Sequence, residues 1–127
     1  MNLSLHHVAI IASDKDAAMR FCVDALGFKV ISEHYREARD SWKIDLALDE
    51  KTQIELFTFP HPPTRVSNPE ACGLRHLAFH VDSLEPVLER LKSFDITAEP
   101  IRTDEYTGKR FTFVKDPDDL PIEFYER

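Results

Sequence analysis

The sequence predicts an α+β fold. Two tandem βαβββ units are expected to form one curved, eight-stranded mixed sheet with both helices outside. The first observation behind this is a repeat. Leu5-His6-His7-Val8-Ala9-Ile10 returns 69 residues later as Leu74-Arg75-His76-Leu77-Ala78-Phe79, and Ile54-Glu55-Leu56-Phe57 returns 68 residues later as Ile122-Glu123-Phe124-Tyr125. Self-similarity at a fixed offset is the mark of one supersecondary unit used twice. The second is the order of periodicities: each copy opens on a strand pattern, passes through one helical pattern and closes on strand patterns. The third is length. A chain of 127 residues is one ordinary domain, able to bury about two thirds of the surface its unfolded form exposes. The repeats span 5–59 and 74–127, joined by a proline-rich linker at 60–73.

Residues 5–12 are apolar and rich in β-formers, which predicts the first strand. Ser13-Asp14 offers helix N-caps, and 15–26 places Ala18, Phe21, Cys22 and Leu26 on one helical face. Gly27 is the expected stop. Strands follow at 28–31, 42–48 and 52–59. In the second repeat, 75–81 is a strand, and Asp82-Ser83 caps a helix over 84–94 with Leu84, Val87, Leu88 and Leu91 on one face. Further strands are predicted at 96–101, 110–115 and 121–125. Asp116-Pro117-Asp118-Asp119 is a turn, because Asp and Pro both favour it. The linker holds Pro60, Pro62, Pro63 and Pro69 and reads as a stiff surface connector. Neither unit hides its sheet's apolar face well alone, so the two are expected side by side, with a concave side open to a small ligand.

The composition, 43% hydrophobic and 31% charged, is that of a soluble globular protein. A formal charge of −7 speaks against a nucleic-acid partner, which leaves a basic footprint, and against docking on anionic lipid. No apolar run approaches a membrane span, and no signal peptide is expected. Cys22 and Cys72 lack the C-x-x-C spacing and are expected as reduced thiols of a cytoplasmic protein.

Each repeat carries one histidine near its start and one glutamate near its end. These are His7 and Glu55, 48 residues apart, and His76 and Glu123, 47 apart. Side chains alternate across a strand. Val8 and Ile10 suit the helix side, so His7, Ala9 and Ile11 take the concave side. His76, Ala78 and His80 do the same in the second repeat. Glu55 shares a face with Gln53 and Phe57, and Glu123 with Pro121 and Tyr125. A carboxylate flanked by Ile54 and Leu56, or by Ile122 and Phe124, is costly to bury unless it is paired or bound to a cation. For one such Glu, an outward-facing position on a half-exposed strand is the plainer reading. Two of them, matched by two His at the same offset, point to a shared site for one divalent ion. Nickel, zinc, cobalt, manganese and iron(II) all accept this N/O set, and ligand type does not choose among them. Four protein ligands leave two octahedral positions for a substrate chelating through two oxygens, whose enediolate the metal would stabilise as a Lewis acid. A glutamate at the ion's edge is then placed to move the proton.

The paired units, His7-Val8-Ala9-Ile10, Ile54-Glu55-Leu56, Arg75-His76-Leu77-Ala78-Phe79 and the ending Asp116-Pro117-Asp118-x-x-Pro121-Ile122-Glu123 resemble the vicinal-oxygen-chelate superfamily of glyoxalases, bleomycin-resistance proteins and dioxygenases. Within it they resemble small bacterial glyoxalase I-like proteins (lactoylglutathione lyases). The resemblance covers nearly the whole chain. It implies that His7, Glu55, His76 and Glu123 bind the metal. It also implies that Glu123 and Glu55 are the catalytic carboxylates that convert a hemithioacetal of a small 2-oxoaldehyde, such as methylglyoxal, into a thioester. A homodimer with sites formed between subunits is implied as well. Two positions depart from glyoxalase I. Ile11 stands where an Arg usually follows the first His by four residues, and Phe59 stands where an Asn follows the first Glu by four. Those polar groups hold glutathione, so the thiol stays open. The alternatives within the superfamily are a thiol transferase conferring resistance, an epimerase, a dioxygenase or a metal-free drug-sequestering protein.

Candidate substrate contacts are Arg36, Arg39, Lys109 and Arg110, which suit a carboxylate or phosphate, and Trp42, Phe57, Phe59 and Tyr125 as apolar wall, with Trp42 and Phe57 foremost. The alternative for the four cations is a solvated surface charge. For Trp42, Phe57, Phe59 and Tyr125 it is core packing. His6 is expected to face the helix side as a partly buried structural residue. His80 is a further candidate for substrate contact, and His34 and His61 are expected to be exposed.

Overall fold

The computed structural model describes residues 1–127. The chain divides into two compact units, Met1–Pro63 and Thr64–Arg127. The α+β class and the βαβββ order hold in each unit, with four strands apiece. The eight strands fall into two hydrogen-bonded sheets of four rather than one continuous ladder. In each unit the first strand pairs in parallel with the last, so each repeat completes its own set of ladder bonds.

In the first unit the sheet order is β1 (His7–Ala12), β4 (Gln53–Thr58), β3 (Ser41–Ala47), β2 (Lys29–Arg36). The helix α1 (Lys15–Met19) lies between β1 and β2 in sequence. Its N-cap is Asp14, whose Oδ1 accepts the Ala17 N–H at 2.8 Å, satisfying one of the helix's unpaired first-turn donors. The predicted helix continues to Ala25, but its second half, Arg20–Ala25, is π-helical. Gly27 ends it with φ +81°, donating to Val23 O at 3.1 Å while Phe28 N–H reaches Cys22 O at 3.0 Å. A left-handed C′ glycine is the cheapest way to satisfy those carbonyls.

Ile44, Leu46, Ile54 and Leu56 alternate onto one sheet face and are almost wholly buried. Ala18, Phe21, Cys22 and Ala25 of the helical segment complete that core. Each buried Leu or Ile contributes about 1.5–3 kcal/mol. β2 runs five residues beyond the predicted end at Ile31, with a bulge between Val30 and Ser32. Its second half, Ser32-Glu33-His34-Tyr35-Arg36, is polar because it is an edge strand paired on one side only, so apolar alternation does not mark it.

In the second unit the order is β5 (Leu77–Val81), β8 (Pro121–Glu126), β7 (Arg110–Lys115), β6 (Arg102–Thr103). The strand predicted at 96–101 is not formed; the paired segment is Arg102–Thr103. Pro100 has no N–H to give a ladder. The stretch is tied instead through Glu99, whose N–H donates to Phe113 O at 2.9 Å and whose carbonyl accepts from Thr112 Oγ1 at 2.6 Å.

The second helix, α2 (Leu84–Lys92), buries Leu84 and Leu91, as do Val114, Ile122 and Phe124 of the sheet. Ser83 sits at its N-cap but donates to Glu85 Oε2. The free Leu84 N–H is taken by Glu126 Oε2 at 3.0 Å, so a strand residue caps this helix. The Asp116 turn forms as predicted. Its Oδ1 accepts from Asp118 N–H and Leu120 N–H at 2.8 and 2.9 Å, and Asp119 takes φ +66°. The linker 60–73 carries no helix or strand. No helix is long and apolar enough to cross a membrane.

Candidate metal centre

In the first unit Glu55 lies between Ala9 on β1 and Asp45 on β3. Its neighbours Ile54 and Leu56 turn to the core, so the carboxylate turns to the other face, where it is only 9% exposed. His7 Nδ1 stands 3.2 Å from Glu55 Oε2. On β1, His7, Ala9 and Ile11 are the exposed set and Val8 and Ile10 the half-buried set, which is the predicted alternation. Lys43 Nζ lies 2.8 Å from Asp45 Oδ1 and 3.7 Å from Glu55 Oε1, and Ser32 Oγ donates to Asp45 Oδ2 at 3.0 Å. Burial pushes the Asp45 carboxyl up, but the hydrogen bonds from Lys43 and Ser32 outweigh it and hold it below its ordinary value. The same Asp45 hydrogen bond holds the Lys43 ammonium above its own.

The second unit repeats the pair on a different background. Glu123 lies between Ala78 on β5 and Phe113 on β7. His76 Nε2 stands 3.0 Å from Glu123 Oε2, its ring edge-on to Phe113 at 5.1 Å. Phe111 and Phe113 occupy the positions that Lys43 and Asp45 hold in the first unit. One carboxylate therefore has a cation beside it, and the other has an aromatic wall.

The donor chemistry fits a divalent ion. Imidazole and carboxylate are the ligand types such ions take, and buried carboxylates gain most from one. In the first unit the donors of His6, His7 and Glu55 all lie within 4.8 Å of one another. His6 is the correction here. It is exposed, not partly buried, and its Nδ1 sits 2.8 Å from His7 Nδ1. It precedes β1, so strand alternation does not fix its direction.

The remaining candidates separate clearly. Phe57 shares the Glu55 face, two residues further along β4, and stacks on Phe59 with centroids 6.3 Å apart. The Arg36 guanidinium lies over Phe57 at 5.0 Å and over Phe59 at 5.8 Å, and Arg39 lies over Phe59 at 4.8 Å. Arg36 Nη2 donates to Ser41 Oγ at 2.9 Å, whereas Arg36 Nε is buried with no acceptor. Such an orphan donor costs about 1–3 kcal/mol.

Trp42 alternates with Ser41 and Lys43 and so falls on the opposite face from Glu55. There it contacts Tyr35 at 5.4 Å and the Lys15 ammonium at 4.4 Å. Lys109 Nζ donates to the Arg127 carbonyl at 3.0 Å. Arg110 holds Glu126 with two bonds of 2.8 and 2.7 Å and reaches Glu85 at 2.8 Å. That grip pulls the Glu85 carboxyl down to about 2 and keeps Arg110 firmly charged. Both residues thus fasten the second unit together. His80 is exposed beside Tyr125 at 6.1 Å. Lys43 and Asp45, beside Glu55, are absent from the sequence-derived set. Two charges in Trp42-Lys43-Ile44-Asp45-Leu46, both turned away from the apolar positions, are the signal that marks them.

The family model described as Glyoxalase/Bleomycin resistance protein/Dioxygenase superfamily matches residues 4–124. The chain belongs to this superfamily. Among its relatives, YaeR of Escherichia coli (strain K12), a protein described as uncharacterized, is 58% identical over 97% of this chain and 95% of its own length. The structure of a glyoxalase family protein from Enterococcus faecalis superposes with a TM-score of 0.91 at 46% identity, over 97% of each chain. The trypanothione-dependent glyoxalase I of Leishmania major shares the fold, with a TM-score of 0.75 at 21% identity over 98% of this chain and 87% of that one.

Proposed function

We propose that this member of the superfamily is a metal-dependent glyoxalase I-like lyase. It would act on the hemithioacetal that a small 2-oxoaldehyde such as methylglyoxal forms with a thiol. The observation that carries the reading is the recurrence of one His–Glu pair at matching places in the two repeats, His7 with Glu55 at 3.2 Å and His76, just before β5, with Glu123 at 3.0 Å. His7, Glu55, His76 and Glu123 would hold one divalent ion, of nickel, zinc, cobalt, manganese or iron, with the four supplied by one chain or by two. When bound, the ion polarises a carbonyl and offsets negative charge growing on oxygen.

Glu123 is the proton carrier in this scheme. It takes the proton from the carbon bearing sulfur and returns one to the neighbouring carbonyl carbon, so the hemithioacetal becomes a thioester with no net oxidation. Lys43 stands beside Glu55, its Nζ 3.7 Å from Oε1. Glu123 has the His76 imidazole 3.0 Å away and Phe113 opposite it on β7, so no lysine or second carboxylate takes the place that Lys43 and Asp45 hold beside Glu55. The reading also pairs two copies. Leu3, Leu5 and Ile11 on and before β1 are exposed and are the apolar surface such pairing would bury. Cys22 and Cys72 form no disulfide, in keeping with a cytoplasmic setting.

The test is bound metal by elemental analysis, followed by ultraviolet detection of thioester from methylglyoxal with glutathione and with other low-molecular-weight thiols, in nickel- and zinc-loaded protein. Glu123→Gln is expected to abolish turnover, and unchanged activity refutes its role. Metal-loaded protein that makes no thioester from any of these thiols removes the substrate assignment.

A further inference from the structure

We propose that Arg36 and Arg39 form an oxyanion subsite on the Glu55 face of the first sheet, taking a carboxylate or phosphate borne by the substrate. The proposal rests on the reading of Glu55 as part of the reacting centre, and it narrows the substrate class to an acidic one.

The register places the elements of this subsite. Arg36 pairs with Ser41, Lys43 with Phe57, and Asp45 with Glu55. One sheet face therefore presents Glu55 and Asp45 in one row and Phe57 and Lys43 in the next, with Ser41 and Arg36 beyond, and Phe59, just past the end of β4, stacks on Phe57. With two residues per row, Phe57 lies about 7 Å and the Ser41–Arg36 row about 13 Å along the sheet from the Glu55 row. That is the reach of a small molecule with one end at the carboxylate and an acidic group at the other.

The two arginines are charged and uncompensated. The ion pairs of the first unit run His7–Glu55, Lys15–Glu33, Lys43–Asp45 and Lys43–Glu55. Asp40, next to Arg39 in sequence, accepts from the Tyr35 hydroxyl at 2.6 Å. Lys43, the third cation of the face, is committed to Asp45 and Glu55. Stacking on Phe57 and Phe59 holds both guanidinium groups in place, and the Ser41 hydroxyl fixes Arg36 Nη2. A purely structural arginine would have its donors filled, yet Arg36 Nε is buried with none. Guanidinium donors suit the two oxygens of a carboxylate or phosphate, and with Nη2 held by Ser41 the Arg36 Nη1 and the Arg39 guanidinium are the donors left to meet one. The aromatic shelf lowers the local dielectric and strengthens that contact.

Metal-free protein is titrated with inorganic phosphate and, separately, with succinate, by calorimetry. At least one is expected to bind, and the tighter of the two names the group the substrate carries. The double variant Arg36→Met, Arg39→Met is expected to lose about tenfold or more in affinity, while Lys92→Met on α2 keeps it. In the wild-type protein the Arg36 Nε–H resonance is expected to move downfield on titration, so a variant that fails to fold does not remove the test. Neither anion binding to wild type, equal binding by the double variant, or an unmoved Arg36 Nε–H overturns the proposal. Absence of thioester from metal-loaded protein would sink the glyoxalase reading while leaving these metal-free titrations untouched.

Discussion

Lys43 is the residue whose removal tests the metal reading most sharply. Its ammonium sits 3.7 Å from Glu55 Oε1 and 2.8 Å from Asp45 Oδ1, so a cation arriving at Glu55 meets a like charge already there. Lys43→Met removes that charge and leaves both carboxylates. Taking 3.7 Å as the length scale, the repulsion between a single and a double positive charge at the dielectric of water is about 2 kcal/mol. Lys43 is about a third exposed, so salt trims this further. An increase of about tenfold in affinity for a divalent ion is expected. The unpaired Asp45 pushes in the same direction. The measurement is a cobalt(II) titration at neutral pH and physiological ionic strength, followed by visible absorption and by competition with a chelating dye. Unchanged or weaker binding in the folded variant would mean that the ion does not sit beside Glu55, and the electrostatic argument for the site would fail.

Three further outcomes concern the frame that holds the site. Glu85 and Glu126 both have lowered folded-state pKa values because Arg110 grips them. Their contribution is present above the ordinary value of 4.5 and is lost as pH falls through the lowered values, about 2 for Glu85. Arg110→Met should therefore lower the urea midpoint at neutral pH and flatten its decline across that window; an unaltered acid limb refutes the clamp. Leu46, with 0% exposure, should cost about 2–5 kcal/mol when cut to Ala, read by urea unfolding, and a loss under about 1 kcal/mol would show that the core collapses around it. Gly27→Ala meets no atom within 4 Å, so only its φ of +81° is penalised, at about 1–2 kcal/mol. A neutral result would mean that the helix end relaxes.

Much of this molecule is written in local pattern. The near-repetition of Leu5–Ile10 and Ile54–Phe57 announces two like units. The period of two in β1 and β4 separates His7 and Glu55 from Val8, Ile10, Ile54 and Leu56. Each of these follows from steric rules that act within a few residues, and for that reason they can be read from one strand at a time. The glycine stop at Gly27 and the Asp116 turn belong to the same class, since both depend on backbone preferences of single residues.

Other features needed the fold. Lys109 and Arg110 carry the same charge as Arg36 and Arg39. Yet Arg110 is consumed by Glu126 and Glu85, 16 and 25 residues away, and Lys109 by the Arg127 carbonyl. Arg36 comes to rest on Phe57 and Phe59 with its Nε unfilled. Whether a charge is spent or available is a matter of what lies across a ladder, and sequence distance does not reveal that. The division of eight strands into two sheets, the displacement of the 96–101 strand by Pro100 and the placement of Lys43 beside Glu55 are of this kind. Local preference selects the element and the face, while long-range pairing selects the neighbours that give each charge its chemistry.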